Sequence, residues 1–270
     1  REIFNTQHST LNIQVCRRGQ ALLCDCGLER MCQETIQKTG IWDEKTMSMT
    51  FEDRMSEVKR RIGAACARAG RDSNGLRLVA VSKTFAPADV QEAADCGQVL
   101  FGESKIQEAR AKIPMCPGHL EWHFVGHLQR NKVRDAVRLF RMIHSVDSSR
   151  LLETINEECR ESGVTMPVCL EVNVSGEGSK FGIPPAEVPA VFKKAEGLIN
   201  VDIVGLMTMP PLTEDPQGAR PFFKRLRELR DEWHNATGIE LRELSMGMSH
   251  DFEVAIEEGA TLIRMGTILF

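Results

Sequence analysis

"RLVAVSKTFAPADV", Arg77 to Val90, decides the reading of the fold. A run rich in β-branched and aliphatic residues delivers one lysine, Lys83, to its C-terminal end, and Pro87 and Asp89 then open a helix. A strand that passes directly into a helix is the repeating unit of α/β folds. With "LRLVAVSK" (76–83) as the first, the strand candidates continue with "QVLFGES" (98–104), "LEWHFVGHL" (120–128), "RMIHSVD" (141–147) and "PVCLEVNVS" (167–175). "NVDIVGLMTM" (200–209), "LRELSMG" (241–247) and "TLIRMGTILF" (261–270) bring the number to eight.

Helical segments alternate with them, among them "ADVQEAADCG", "SRLLETINEECRESG", "AEVPAVFKKAEGL", "PFFKRLRELRDEWHNATG" and "DFEVAIEEGA". Several end at a glycine suited to a left-handed cap. Eight β/α repeats predict an α/β fold, a single (β/α)₈ TIM barrel. Alternation within "PVCLEVNVS" assigns Val168, Leu170, Val172 and Val174 to the outer face and Cys169, Glu171 and Asn173 to the interior. A doubly wound sheet is the alternative, but no G-x-G-x-x-G follows a strand.

Upstream of the barrel, Phe51, Met55, Val58, Ile62 and Cys66 recur at helical spacing, which predicts an N-terminal helix capped by Thr50 and ending at Gly70. Residues 1–46 carry no clear period and read as a poorly ordered extension before a barrel domain over 47–270, with Met47 or Met49 as a natural start. Glu29, Glu34, Asp43 and Glu44 argue against a mitochondrial transit peptide there. The Cys24-Asp25-Cys26 spacing, with His8 nearby, matches no strong zinc pattern.

Among 270 residues, 42% are hydrophobic and 27% charged, with a net charge of −4, so the chain reads as a soluble globular protein with no broad basic surface for nucleic acid. No apolar run approaches the roughly 20 residues that span a bilayer. The expectation is a cytoplasmic monomer.

Functional groups of such a barrel gather at the C-terminal strand ends, where Lys83 lies. A lysine drawn into a partly apolar mouth has its neutral form favoured and attacks aldehydes, although a lysine snorkelling to solvent would look the same. "LSMGMSHDFEVAI" places Ser245, Met246, Gly247, Met248 and Ser249 before a helix, and "IRMGTILF" places Gly266 and Thr267 after Arg264. Small residues with open backbone N–H groups suit an anion, and barrels of this kind often bind phosphate beyond strands seven and eight. Plain turn chemistry, with Ser249 or Asp251 as an N-cap, accounts for the first loop as well. The first and last strands are neighbours in a closed barrel, so the pairing points to a phosphorylated aldehyde, either pyridoxal 5'-phosphate or a sugar phosphate.

The motifs "VAVSKT", "FGES" followed by "QEA", "WHFVGHLQRNK", "SVDS", "NVSGEGSKFG", "GLMTM", "LSMGMSHDFEVAI" and "RMGTILF", in this order over residues 51–270, resemble those of the pyridoxal phosphate homeostasis proteins, the YggS/PROSC group. The resemblance implies the barrel of alanine racemase's N-terminal domain, pyridoxal phosphate as cofactor and a role in vitamin B6 and amino-acid balance without established turnover. It also implies pyridoxal-phosphate-dependent apoenzymes as partners. It makes Lys83 the residue of an internal aldimine and gives the phosphate to Ser245, Gly247, Met248, Ser249, Gly266 and Thr267. Arg264 is placed towards the pyridine nitrogen, and Met207, Met246 and Ser104 complete the cofactor-binding set; no metal is implied. The family commonly has asparagine where Ser104 stands, which reaches less far, and relatives continue past Phe270, so a shortened last helix is expected.

An amino-acid racemase of this fold adds a β-domain and a tyrosine base, and the chain contains no tyrosine. A Schiff-base aldolase normally carries its lysine on a later strand beside acidic partners. Glu121, His123 and His127 invite an acid/base reading, but alternation makes His123 a satisfied barrel-core residue and leaves His127 near the mouth. "QRNKVRDAVR" reads as a solvated helix face.

Overall fold

The computed structural model describes residues 49–177 and 181–270; the expected extension over 1–46 lies outside the described residues. Eight parallel strands close a barrel in sequence order: β1 (Arg77–Val81), β2 (Leu100–Glu103), β3 (Glu121–Phe124), β4 (Met142–Val146), β5 (Met166–Glu171), β6 (Val201–Met207), β7 (Glu243–Ser245) and β8 (Leu262–Met265). Pairing of β8 with β1, with Val79 opposite Arg264 and Ala80 opposite Met265, closes the cylinder. The (β/α)₈ TIM barrel expected from the alternating pattern is the fold.

Helix α1 (Phe51–Arg68) precedes β1; α2 (Pro87–Asp95), α3 (Ile106–Lys112), α4 (Val133–Leu139), α5 (Ser149–Ser162), α6 (Val188–Ala195), α7 (Arg220–Thr237) and α8 (Phe252–Glu257) follow the first seven strands in turn. Thr50 caps α1 in a reciprocal pair with Asp53, as the sequence predicts, and Gly70 adopts φ 63° just beyond its end. Gly163 and Gly238 end α5 and α7 in the left-handed conformation. Arg54 ties α1 to the end of the chain, with Nε donating to Leu269 O at 2.7 Å and Nη1 to Met49 O at 2.6 Å.

Two layers of apolar side chains follow from strand alternation. Val168, Leu170 and Val172 join the layer between barrel and helices, whereas Val79, Val81, Val125, Met142, Cys169, Val204, Met207 and Leu262 fill the interior. Asn173 departs from its expected interior position. β5 stops at Glu171, and Asn173 turns out into a loop where its Oδ1 accepts from Ser175 Oγ and the Gly176 N–H. The final stretch also leaves the strand at Met265 and makes one turn, the N–H groups of Leu269 and Phe270 both donating to Gly266 O.

"QRNKVRDAVR" contributes a 3₁₀ turn over Arg130–Lys132 and then α4, whose Val133, Ala136 and Val137 are buried, so only part of it is solvated. The described cysteines are all free, with Cys66, Cys159 and Cys169 buried as small hydrophobes. Among the described residues, no helix is long and apolar enough to cross a membrane, and no cluster of histidine, cysteine and carboxylates could hold a metal ion.

Candidate functional site

At the C-terminal end of β1, the period of Val79 and Val81 carries Lys83 to the inner side of the barrel mouth. Its side chain is exposed and makes no hydrogen bond or ion pair among the described residues. The next residue, Thr84, has φ 70°, so the chain turns sharply straight after the amine. Across the β1–β8 seam lies Gly266, where a Cβ would stand 3.1 Å from Val81 O; the loop beyond β8 therefore lies directly against the strand that carries Lys83.

The loops after β7 and β8 present open donors. The N–H groups of Gly247, Ser249, Gly266 and Thr267 have no acceptor among the described residues. Gly247 has φ 92°, and a Cβ there would meet Ala255 Cβ at 2.6 Å, so only glycine leaves this backbone free to approach a ligand. The Met248 N–H is engaged, donating to Asp251 Oδ1 at 2.7 Å. Burial pushes the Asp251 carboxyl above its usual value. Met246 sits in the layer against the helices, its N–H donating to Leu262 O, while Met207 lies in the barrel interior. Ser104 lines the end of β2, where its backbone packs so closely on Gly126 that a Cβ at 126 would collide with it.

Ser245 is wholly buried, and its hydroxyl is a link in a chain that crosses the barrel. Arg264 Nη1 donates to Ser245 Oγ at 2.7 Å and Nη2 to Thr208 O at 3.1 Å. A guanidinium only donates, so the Ser245 hydroxyl accepts from it and passes its own proton to His144 Nδ1, 2.7 Å away. His144 then carries its hydrogen on Nε2 and donates to His123 Nδ1 at 2.9 Å, and His123 Nε2 donates to Glu121 Oε1 at 2.8 Å. Burial, reinforced by the Arg264 charge, pushes the His144 pKa well down and keeps it neutral. The Glu121 carboxylate, held below its usual range by the His123 hydrogen bond, is 50% exposed at the opposite end of the barrel. His123 is thus the satisfied core residue that alternation predicts.

On the far side of the mouth, Glu171 ends β5 buried, and its carboxyl makes no hydrogen bond among the described residues. Desolvation, and then the Asp147 charge, push its pKa to about 7. His127 Nδ1 lies 3.1 Å from Asp147 Oδ2, and its ring stacks on Phe181 at 3.9 Å between centroids, which places His127 at the rim. Sequence reasoning missed His144, Asp147 and Thr208. Inward alternation of histidines on adjacent strands, His123 on β3 and His144 on β4, was the available signal for the first.

A family model described as the alanine racemase N-terminal domain matches residues 55–270. The pyridoxal phosphate homeostasis protein of Aquifex aeolicus is 45% identical over 219 residues, covering 81% of this chain and 96% of its own length. The human protein of that name is 40% identical over 231 residues, covering 79% and 83%. PipY of Synechococcus elongatus, solved with PLP bound, superposes with a TM-score of 0.73 at 36% identity, covering 82% of this chain and all of its own. Fold and site together define a barrel of the alanine racemase N-terminal class. Within that class, the chain belongs to the pyridoxal phosphate homeostasis protein family.

Proposed function

We propose that the protein binds pyridoxal 5'-phosphate through Lys83 and holds it as an imine, as a carrier or buffer in the cell's vitamin B6 and amino-acid homeostasis rather than as a catalyst of turnover. The observation that carries this reading is the placement of an unpaired, mouth-facing Lys83 across the β1–β8 seam from four unpaired N–H groups, those of Gly247, Ser249, Gly266 and Thr267. An amine for the aldehyde and a ring of donors for the phosphate are what the cofactor requires at its two ends. The family membership and the PLP-bound relative agree with it. When bound, the cofactor supplies an aldehyde and an electron-accepting ring.

This chain's own residues favour storage. Arg264 is buried and fixed by two hydrogen bonds, and a guanidinium does not readily surrender a proton, so it leaves a pyridine nitrogen beside it unprotonated and the ring a weak electron sink. Ser245 serves the phosphate end only indirectly in this reading, because its hydroxyl holds Arg264. Met207 lines the mouth from the interior, and Ser104 lies at the β2 edge of the cofactor. The protein works in the cytoplasm as a monomer and releases the cofactor to apoenzymes.

Borohydride reduction followed by peptide mapping tests the assignment. A pyridoxyl phosphate adduct on Lys83, its loss in Lys83→Ala, and residual non-covalent affinity in that variant are the expected results. A wild-type protein that stays unmodified after added pyridoxal phosphate would refute the reading.

A further inference from the structure

Behind Lys83, on the face of β1 turned towards the helices, a buried ion cluster serves neither the phosphate loops nor the chain from Arg264. Lys112, at the end of α3, is 5% exposed, and Glu103 and Ser82 are fully buried. The Lys112 ammonium uses all three of its protons: Nζ donates to Ser82 O at 2.7 Å, to Glu103 Oε1 at 2.7 Å and to Glu108 Oε1 at 2.9 Å. Glu103 Oε1 also accepts from Ser82 Oγ at 2.8 Å, and Glu108 Oε1 accepts from the Thr84 N–H. The residues on either side of Lys83 are therefore tied at three points, while Lys83 itself is left without a partner.

The arrangement costs stability. Glu103 Oε2 is buried with no hydrogen-bond partner, and burial pushes that carboxyl above its usual value. Thr84 is the one non-glycine residue with positive φ among the described residues. Buried ion pairs are often no more stabilising than apolar side chains of the same volume, so packing alone does not account for this one. What the cluster uniquely supplies is acceptors and donors aimed at the backbone of residues 82 and 84.

We infer that Lys112, Glu103 and Glu108 are positioning residues for Lys83, holding residues 82–84 in the backbone arrangement that carries the amine over the barrel mouth. The inference rests on Lys83 being the residue that bonds the cofactor. A tethered turn presents the amine without having to order the loop at the moment of bond formation, an effect worth about tenfold or more in effective affinity.

The test uses Glu108, whose side chain is 24% exposed and can be replaced without opening the core. In cofactor-free protein, hydrogen exchange of the segment containing Thr84 should accelerate in Glu108→Ala and return to the wild-type rate in Glu108→Gln, which keeps an acceptor oxygen. Spectroscopic titration with pyridoxal phosphate should show about a tenfold weaker covalent complex for Glu108→Ala, restored by Glu108→Gln. The same Glu108→Ala change in a Lys83→Ala background should leave the non-covalent affinity unchanged. Equal losses in both backgrounds, or unaltered covalent affinity despite faster exchange at Thr84, would overturn the inference. A wild-type protein that gives no reducible adduct on Lys83 would instead sink the cofactor assignment itself; slow exchange at Thr84 that Glu108→Ala abolishes would then show the tether alone.

Discussion

Glu171 shows how much one carboxyl can be altered by where its strand ends. It is 4% exposed, its pKa is raised from 4.5 to about 7, and Asp147 stands close enough to repel its charged form. The unfolded chain releases this proton near the ordinary value, while the folded chain keeps it up to about 7. The folded state thus binds more protons in that window, and stability falls as pH rises through it. Below the ordinary value the effect is absent; above about 7 it is fully expressed, with a size of up to about 3 kcal/mol. Glu171→Gln removes the titration, so cofactor-free Glu171→Gln should gain on wild type as pH rises from 4 to 8. Urea denaturation midpoints across that range check the sign; parallel curves would show that Glu171 is not titrating there. At this scale the sequence showed Glu171 facing inward, but not that Asp147, from another strand's end, would face it.

Among the elements, β6 and β7 approach so closely that a side chain is excluded between them. Gly205 of β6 lies against Glu243 of β7, where a Cβ would collide with the Glu243 carbonyl. Gly205→Ala should force the two strands apart and cost about 1–3 kcal/mol, with the loops after β7 displaced as well. Thermal unfolding and pyridoxal phosphate affinity, measured together, test both halves of that expectation. The α1 cap offers a milder case. Replacing Thr50 with alanine removes the hydroxyl that accepts the Asp53 N–H at 3.2 Å, and should lower stability by about 1 kcal/mol, readable as a shift in urea midpoint.

Helix α8 is only six residues long, and arginines of α1 and α7 anchor it. Arg61 and Arg68 reach Glu253 and Glu257, while Arg220 and Arg227 converge on Glu258. The apolar periods of α1, α5 and α7 were legible because each is long enough to repeat its buried stripe several times. The short α3 was not read, and the stretch holding α4 was read only as a solvated helix face, since seven residues complete barely two turns and give a buried stripe little room to repeat. Lys112 lies in α3, so its role could not be read before that helix was placed.

Across the whole molecule, one line of hydrogen bonds connects the cofactor end of the barrel to the opposite opening. From Arg264 through Ser245, His144 and His123 to Glu121, every donor is determined by the one before it, because the first member can only donate. Nitrogen NMR of the histidine side chains at neutral pH should therefore find both His123 and His144 as the Nε2–H tautomer. An Nδ1–H signal from either would break the chain as described. Replacing His144 with phenylalanine leaves Ser245 without its acceptor and should loosen Arg264; a changed absorption spectrum of the bound cofactor, with the fold retained, is the expected consequence.

Period and order along the chain determined the barrel, the inward face of β5 as far as Glu171, the position of Lys83 at the end of β1 and the glycines of the last two loops. These are local properties, fixed by the two-residue repeat of strands and the backbone freedom of glycine, and they need no knowledge of partners. Only the tertiary structure decided that Ser245 holds Arg264, that His144 joins His123, and that Lys112, Glu103 and Glu108 grip the backbone around Lys83. Those pairs lie on different strands and helices, and closure of the barrel brings them within hydrogen-bond range; their sequence separations carry no trace of it.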